Sequence, residues 1–285
     1  MRRIVGALLA ATIASAVVLA GGVSTLPNRP GSLKFAVIGD NGTGDDAQYE
    51  VGAQMARARE IFAFSLVLMM GDNFYGRQRP ADLQKKFDRP YKPLLDAGVV
   101  FQAAIGNHDE PHTINYPPLN MEGRRYYTYA RDRVRFVVLD TNALDDGQMA
   151  WFETTMAAAR EPWKICYFHH PLYSNAGRHG ASVDIRVLLE PILVKYGASV
   201  VFSGHDHLYE RLVPQKGIYY FVVGSGGKLR KGDLERSPST AAAFDQGQSF
   251  LLVEIAGDEM YFEAIARDGR TVDSGMYRRP GLSGT

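Results

Sequence analysis

Ser65-Leu66-Val67-Leu68-Met69-Met70-Gly71-Asp72-Asn73-Phe74-Tyr75 sets a short apolar run against an abrupt polar turn. An apolar run of about four to eight residues, bounded by turn signals, reads as a strand buried on both faces, and Gly-Asp after it as the turn that ends it. Four further runs are built the same way. Residues 33–38 end in Gly39-Asp40-Asn41-Gly42, and residues 99–104 continue through Ile105 to Gly106-Asn107-His108-Asp109. Residues 164–168 end in His169-His170-Pro171, and residues 198–202 lead to Ser203-Gly204-His205-Asp206-His207. Glycine permits a tight turn, so the next side chain can point past the strand end. In open α/β sheets ligands bind just beyond the carboxyl ends of the strands. The five turns would therefore bring Asp, Asp, Asn, His and His-x-His to one crevice.

Between the runs the apolar spacing becomes helical. Val51, Met55, Ala58 and Phe62 recur at helical intervals over residues 47–62, with Asp45 or Asp46 available as the cap. A helical stretch around residues 83–95 is broken up by Pro90 and Pro93. Residues 126–130 and 134–139 predict a hairpin. Asp145-x-x-Gln148 predicts a capping pair opening a helix through Ala159, with Met149, Phe152 and Met156 on one face. Residues 183–196 predict a helix interrupted at Pro191. Further strands are expected at residues 218–223, 250–255 and 260–266, the last followed by an Arg267-Asp268-Gly269 turn, and residues 226–249 read as a long surface loop. This alternation predicts the α/β class: a layered domain with mostly parallel pairing and a late antiparallel addition.

Of the 285 residues, 46% are hydrophobic and 22% charged, the proportions of an ordinary globular chain. A net charge of +1 gives no electrostatic case for nucleic acid or an anionic membrane as partner. Arg2 and Arg3 precede an apolar stretch over residues 4–20, followed by Gly21, Gly22 and Ser24. That layout predicts an export signal over residues 1–24, hence a secreted or periplasmic protein; an uncleaved membrane anchor is the alternative. No cysteine lies near the boundary, which excludes a lipoprotein anchor. Cys166 is the one cysteine, so the fold must hold without an internal disulfide. Its place in an apolar run reads as a buried small hydrophobe.

All seven histidines fall between residues 108 and 207, and five stand at the strand ends. Each block alone is ordinary turn chemistry, but the ordered set of five is far more specific. In that order the blocks resemble the metallophosphoesterase signature, and specifically the purple acid phosphatase family in its small, tartrate-resistant-like form. The resemblance covers residues 33 to about 227. It implies an α/β/β/α sandwich with two mixed sheets, occupying residues 33–276 as a single domain. It also implies a metal held by Asp40, Tyr75, His207 and one oxygen of Asp72, and a second held by Asn107, His169, His205 and the other oxygen of Asp72. Three anionic ligands at the first position suit Fe(III), and the nearly neutral second set suits a divalent Fe, Zn or Mn. Many other metallophosphoesterases carry a ligating histidine two residues after the first Asp. Gly42 stands at that place, and Tyr75 takes over. The implied reaction is hydrolysis of phosphate monoesters by a metal-bound hydroxide, available even in acid. The same resemblance has His108 contact the phosphate, Asp109 fix its ring, and the loop residue His179 assist near the leaving group. His170 reads as a rim or packing residue, Glu210 and Arg211 as a structural run, and His112 is assigned no role.

Only residues 25–32 separate the signal from the first strand, too few for the additional N-terminal β-domain of large plant-type enzymes. The short link from Asp140-Thr141-Asn142 to Trp151 leaves no room for the long exposed insert that some small members carry. Gly224–Gly227 lacks the Gly-Lys-Ser/Thr ending of a phosphate loop. The expected partner is a small phosphate ester, met by a monomer. The competing readings are a phosphodiesterase or nucleotidase on the same metals, and a non-catalytic metal-binding envelope protein.

Overall fold

The computed structural model describes residues 25–279; the predicted signal over residues 1–24 lies outside them. Among the described residues no helix is long and apolar enough to cross a membrane. One sheet has the order β13 (Thr271–Arg278), β12 (Glu259–Ala266), β11 (Ser249–Ala256), β1 (Leu33–Ile38), β2 (Leu66–Met69), β3 (Val100–Ala103). The other runs β10 (Thr240–Phe244), β8 (Tyr209–Leu212), β9 (Tyr219–Val223), β7 (Val200–Ser203), β6 (Trp163–Tyr167), β5 (Val134–Val138), β4 (Tyr127–Arg131). Pairing is parallel through β1–β2–β3 and through β5–β6–β7–β9. Antiparallel strands flank both stretches, so both sheets are mixed, as the resemblance implies, and less parallel than the strand–helix alternation alone predicts.

The two-residue period of the strands explains the layers. Phe136, Ile165 and Phe202 point toward the first sheet, where Phe35 meets Phe136 and Phe202 edge-on at 5.8 and 6.3 Å between ring centres. Their neighbours Val137, Cys166 and Val201 point the other way, into a cluster with Phe152 and Met156 of one helix (Asp146–Ala158) and Leu189 and Leu193 of another (Val183–Lys195). On the first sheet, the helix Asp46–Ile61 buries Val51, Met55 and Ala58 and packs against β11. The order of layers is helix, sheet, sheet, helix. Parallel strands deliver their carboxyl ends to one edge of this sandwich, which is what positions the site.

Asp45 caps the helix Asp46–Ile61 by accepting from the Gln48 backbone N–H at 3.1 Å. Asp45→Ala is expected to cost about 1 kcal/mol, read as a lower midpoint in urea with an unchanged slope.

Several local expectations are corrected. Pro191 does not interrupt its helix, because its ring and the exposed Val187 face solvent, where the freed carbonyl can be hydrated. Gln148 completes only half of a capping box: its N–H donates to Asp145, but its side chain turns inward to the Asp140 backbone. The stretch around residues 83–95 divides into Pro80–Leu83, a π turn at Gln84–Asp88, and Lys92–Asp96. The supposed loop over residues 226–249 contains β10, an edge strand paired with β8. Neither β8 nor β13 was anticipated. Glu210 and Arg211 of β8 are structural, bonded to Asn175 and Asp273.

Candidate metal centre

The strand-end turns are held in costly backbone shapes. Asp40, Asp72 and His205 have φ of 53°, 50° and 70°, the left-handed region that non-glycine residues rarely occupy. Each costs on the order of 1 kcal/mol, and such positions cluster where geometry serves function. The turns also press together without room for side chains. A Cβ at Gly42 would collide with the Asn73 carbonyl, and one at Gly106 with the Asp72 backbone. A histidine at position 42 is thus sterically excluded by this backbone.

Two groups of donor atoms converge there. In the first, Tyr75 Oη donates to Asp40 Oδ1 at 3.0 Å and lies 3.2 Å from His207 Nε2, itself 3.5 Å from Asp40 Oδ1. Asp40, Asp72 and His207 keep their ligand atoms within 4.8 Å of one another. In the second, Asn107 Oδ1 is 3.0 Å from His169 Nε2 and 3.1 Å from His205 Nδ1, and the two ring nitrogens are 3.2 Å apart. Asp72 adjoins both groups, with Oδ1 3.4 Å from His169 Nε2.

The donor chemistry fits metal ions. His169 Nδ1 lies 2.9 Å from the Met70 carbonyl, which only accepts, so that nitrogen carries the proton and Nε2 turns a lone pair inward. Burial, then the neighbouring imidazoles, push His205 down to about 2. Burial, then Arg230, pushes His207 down to about 4. These rings stay neutral in mild acid, with lone pairs facing each other and facing carboxylates. Asp40 is raised well above the usual carboxylate range by burial and by Asp72. A bound cation relieves all of these repulsions at once.

The remaining predicted residues fall as follows. His108 is exposed, its ring 4.8 Å from that of Tyr75 and its Nε2 4.0 Å from Asp72 Oδ2. His179 is exposed in its loop, with its ring 4.5 Å from that of His205. Asp109 does something other than fix the His108 ring. Its two oxygens accept from the backbones of Gly106, Asn73 and Phe74 and from the Asn73 amide, tying together the turns that carry Asp72 and Asn107. Its carboxyl is pushed up to about 7, chiefly by burial.

His170, read from the sequence as a rim or packing residue, gains a closer place, and Lys228 and Lys86 gain one that the sequence did not give them. His170 joins His169 and His205 with ring nitrogens within 4.8 Å, its Nδ1 2.9 Å from Thr141 Oγ1. Lys228 sets its ammonium 4.8 Å from the centre of the Tyr75 ring. Lys86, almost fully buried, donates to the carbonyls of Tyr75 and Arg77 at 2.5 and 2.6 Å, holding the Tyr75 turn.

The sequence profile of the calcineurin-like phosphoesterases matches residues 33–209, and the chain belongs to that family. It is similar to human tartrate-resistant acid phosphatase type 5, 26% identical over 85% of this chain and 89% of that one. It is also similar to purple acid phosphatase 17 of Arabidopsis thaliana, 24% identical over 78% and 77%. Among solved structures, the fold resembles GAP50, the anchor in the inner membrane complex of Plasmodium, with TM-score 0.75, 16% identity and coverage of 88% and 90%. It also resembles the purple acid phosphatase PPD1 of yellow lupin, with TM-score 0.71, 21% identity and coverage of 90% and 55%.

Proposed function

We propose that this chain is an exported acid phosphatase that hydrolyses phosphate monoesters at a two-metal centre. The observation that carries this reading is the sharing of Asp72 between two convergent donor groups. The names of the acid phosphatase relatives support it, and the signal-like residues 1–24 support export. Asp40, Asp72, Tyr75 and His207 would hold Fe(III); Asn107, His169, His205 and Asp72 would hold a divalent Fe, Zn or Mn. When bound, such ions supply Lewis acidity and an acidified water for attack at phosphorus.

The chain's own residues do the rest. His108, exposed at the rim beside Tyr75, binds a phosphate oxygen and orients the ester. His179, against His205, gives a proton to the departing alkoxide. Burial, then Arg230 and Arg178, hold His179 below its ordinary pKa. Its proton-donating form is therefore present only in acid and is lost as pH rises through that lowered value, which suits an acid enzyme. His179→Ala is expected to lower kcat by about ten- to a thousandfold on alkyl phosphates. The loss should be much smaller on aryl phosphates whose leaving group needs no proton. An equal loss on both would assign His179 to substrate positioning.

The reading as a whole is tested by metal analysis combined with turnover of phenyl phosphate and diphenyl phosphate. Two metal equivalents and preference for the monoester are expected. Preference for the diester would make the protein a phosphodiesterase, and metal without turnover of either would remove the enzyme.

A further inference from the structure

A cavity of about 650 Å³ opens beside the donor groups and shares Asn107 and His170 with them as walls. That volume lies in the range of small-ligand sites, ample for an alcohol of three to six carbons. Its charge is one-sided. Arg125, on the wall, is held by Asp140 at 2.9 Å and by Asp145 at 3.1 Å, so its charge is already compensated. Asp184, exposed in the first turn of the helix Val183–Lys195, has no cation within ion-pair distance among the described residues. Ser182, the cap residue at the same helix end, lines the cavity and makes no side-chain capping bond. The cations Lys228 and Arg230 lie beside Tyr75 and His207, outside the cavity lining.

We propose that this cavity receives the alcohol part of the ester, and that Asp184 selects uncharged polyhydroxylated or amine-bearing alcohols against anionic ones. The proposal rests on the phosphatase reading above. A carboxylate on the leaving group would approach the Asp184 carboxylate, which has no ion-pair partner among the described residues, and the like charges would repel. A hydroxyl at the same place would find acceptors in Asp184 and Ser182.

Glycerol 3-phosphate and 3-phosphoglycerate test this directly, because they differ by a hydroxymethyl against a carboxylate. The metal-loaded full chain is expected to favour glycerol 3-phosphate in kcat/KM. Asp184→Lys should reduce that ratio by about tenfold or more, and Asp184→Asn by about threefold in the same direction. Asp184 also stabilises its helix as a first-turn acid, but loss of that role would lower the melting temperature without moving the ratio. A wild type with no preference, or ratios unchanged within about twofold in both variants, overturns the subsite while phenyl phosphate turnover leaves the phosphatase standing. A wild type that hydrolyses none of the three esters removes both.

Discussion

Asp72→Ala is expected to abolish metal binding at both positions and reduce phosphatase turnover to background. Asp72 is the residue that adjoins both donor groups, and its carboxylate is almost wholly buried between them. Its Oδ1 also accepts the His108 backbone N–H at 2.9 Å, so it fixes the rim histidine as well. Without it the first group keeps Asp40, Tyr75 and His207, and the second keeps only neutral ligands. The second position is left with three ligands and no bridge to the first, and the first loses an anion that a trivalent ion needs. Alanine at a φ of 50° adds strain of about 1 kcal/mol. Asp72→Asn, which tolerates that backbone shape, controls for this and should lose activity to a similar degree. Metal content by mass spectrometry and turnover of phenyl phosphate decide the matter. A variant with two metal equivalents and appreciable activity would overturn the shared-ligand assignment.

The strand ends were legible because two signals coincide there: an apolar run too short for a helix, and an abrupt polar turn that carries a ligand type, after a glycine in four of the five cases and directly after Phe168 at His169. That coincidence recovers Asp40, Asp72, Asn107, His169, His205 and His207 at one edge of the sandwich. Two of the edge strands, β10 and β13, carried no such signal. β10 reads Thr-Ala-Ala-Ala-Phe and is only partly buried, and β13 is largely exposed, so neither leaves an apolar stripe. Asp109 was paired with His108 by adjacency in sequence, whereas its true partners, Asn73 and Phe74, belong to a turn more than thirty residues away. Lys228 was missed, and His170 read only as a rim or packing residue, for the same reason. What defines them is a hydroxyl at Thr141 and a ring at Tyr75, and no local pattern encodes either contact.

Tyr75→Phe is expected to bleach the protein while leaving it folded. An iron(III) phenolate absorbs visible light by transferring charge from oxygen to metal, so the iron-loaded wild type should be purple or pink. Burial, then Asp40 and Asp72, push the Tyr75 phenol far above its ordinary pKa, so it stays protonated and donates to Asp40 until a cation takes the proton's place. Phenylalanine keeps the ring between His108 and Lys228 and removes the oxygen alone. The lost hydrogen bond is worth about 1 kcal/mol, too little to unfold a core of this size. Asp40, Asp72 and His207 remain to hold an ion, so metal content should fall less than in Asp72→Ala while the visible band disappears. The absorption spectrum and far-ultraviolet circular dichroism, read on one sample, separate loss of the ligand from loss of the fold. If the iron-loaded wild type is colourless, or the phenylalanine variant keeps its band, Tyr75 is no ligand. The lysines that hold its carbonyl and cover its ring would then serve only to shape the rim, and the centre would be that of a two-metal phosphoesterase of unspecified ester preference.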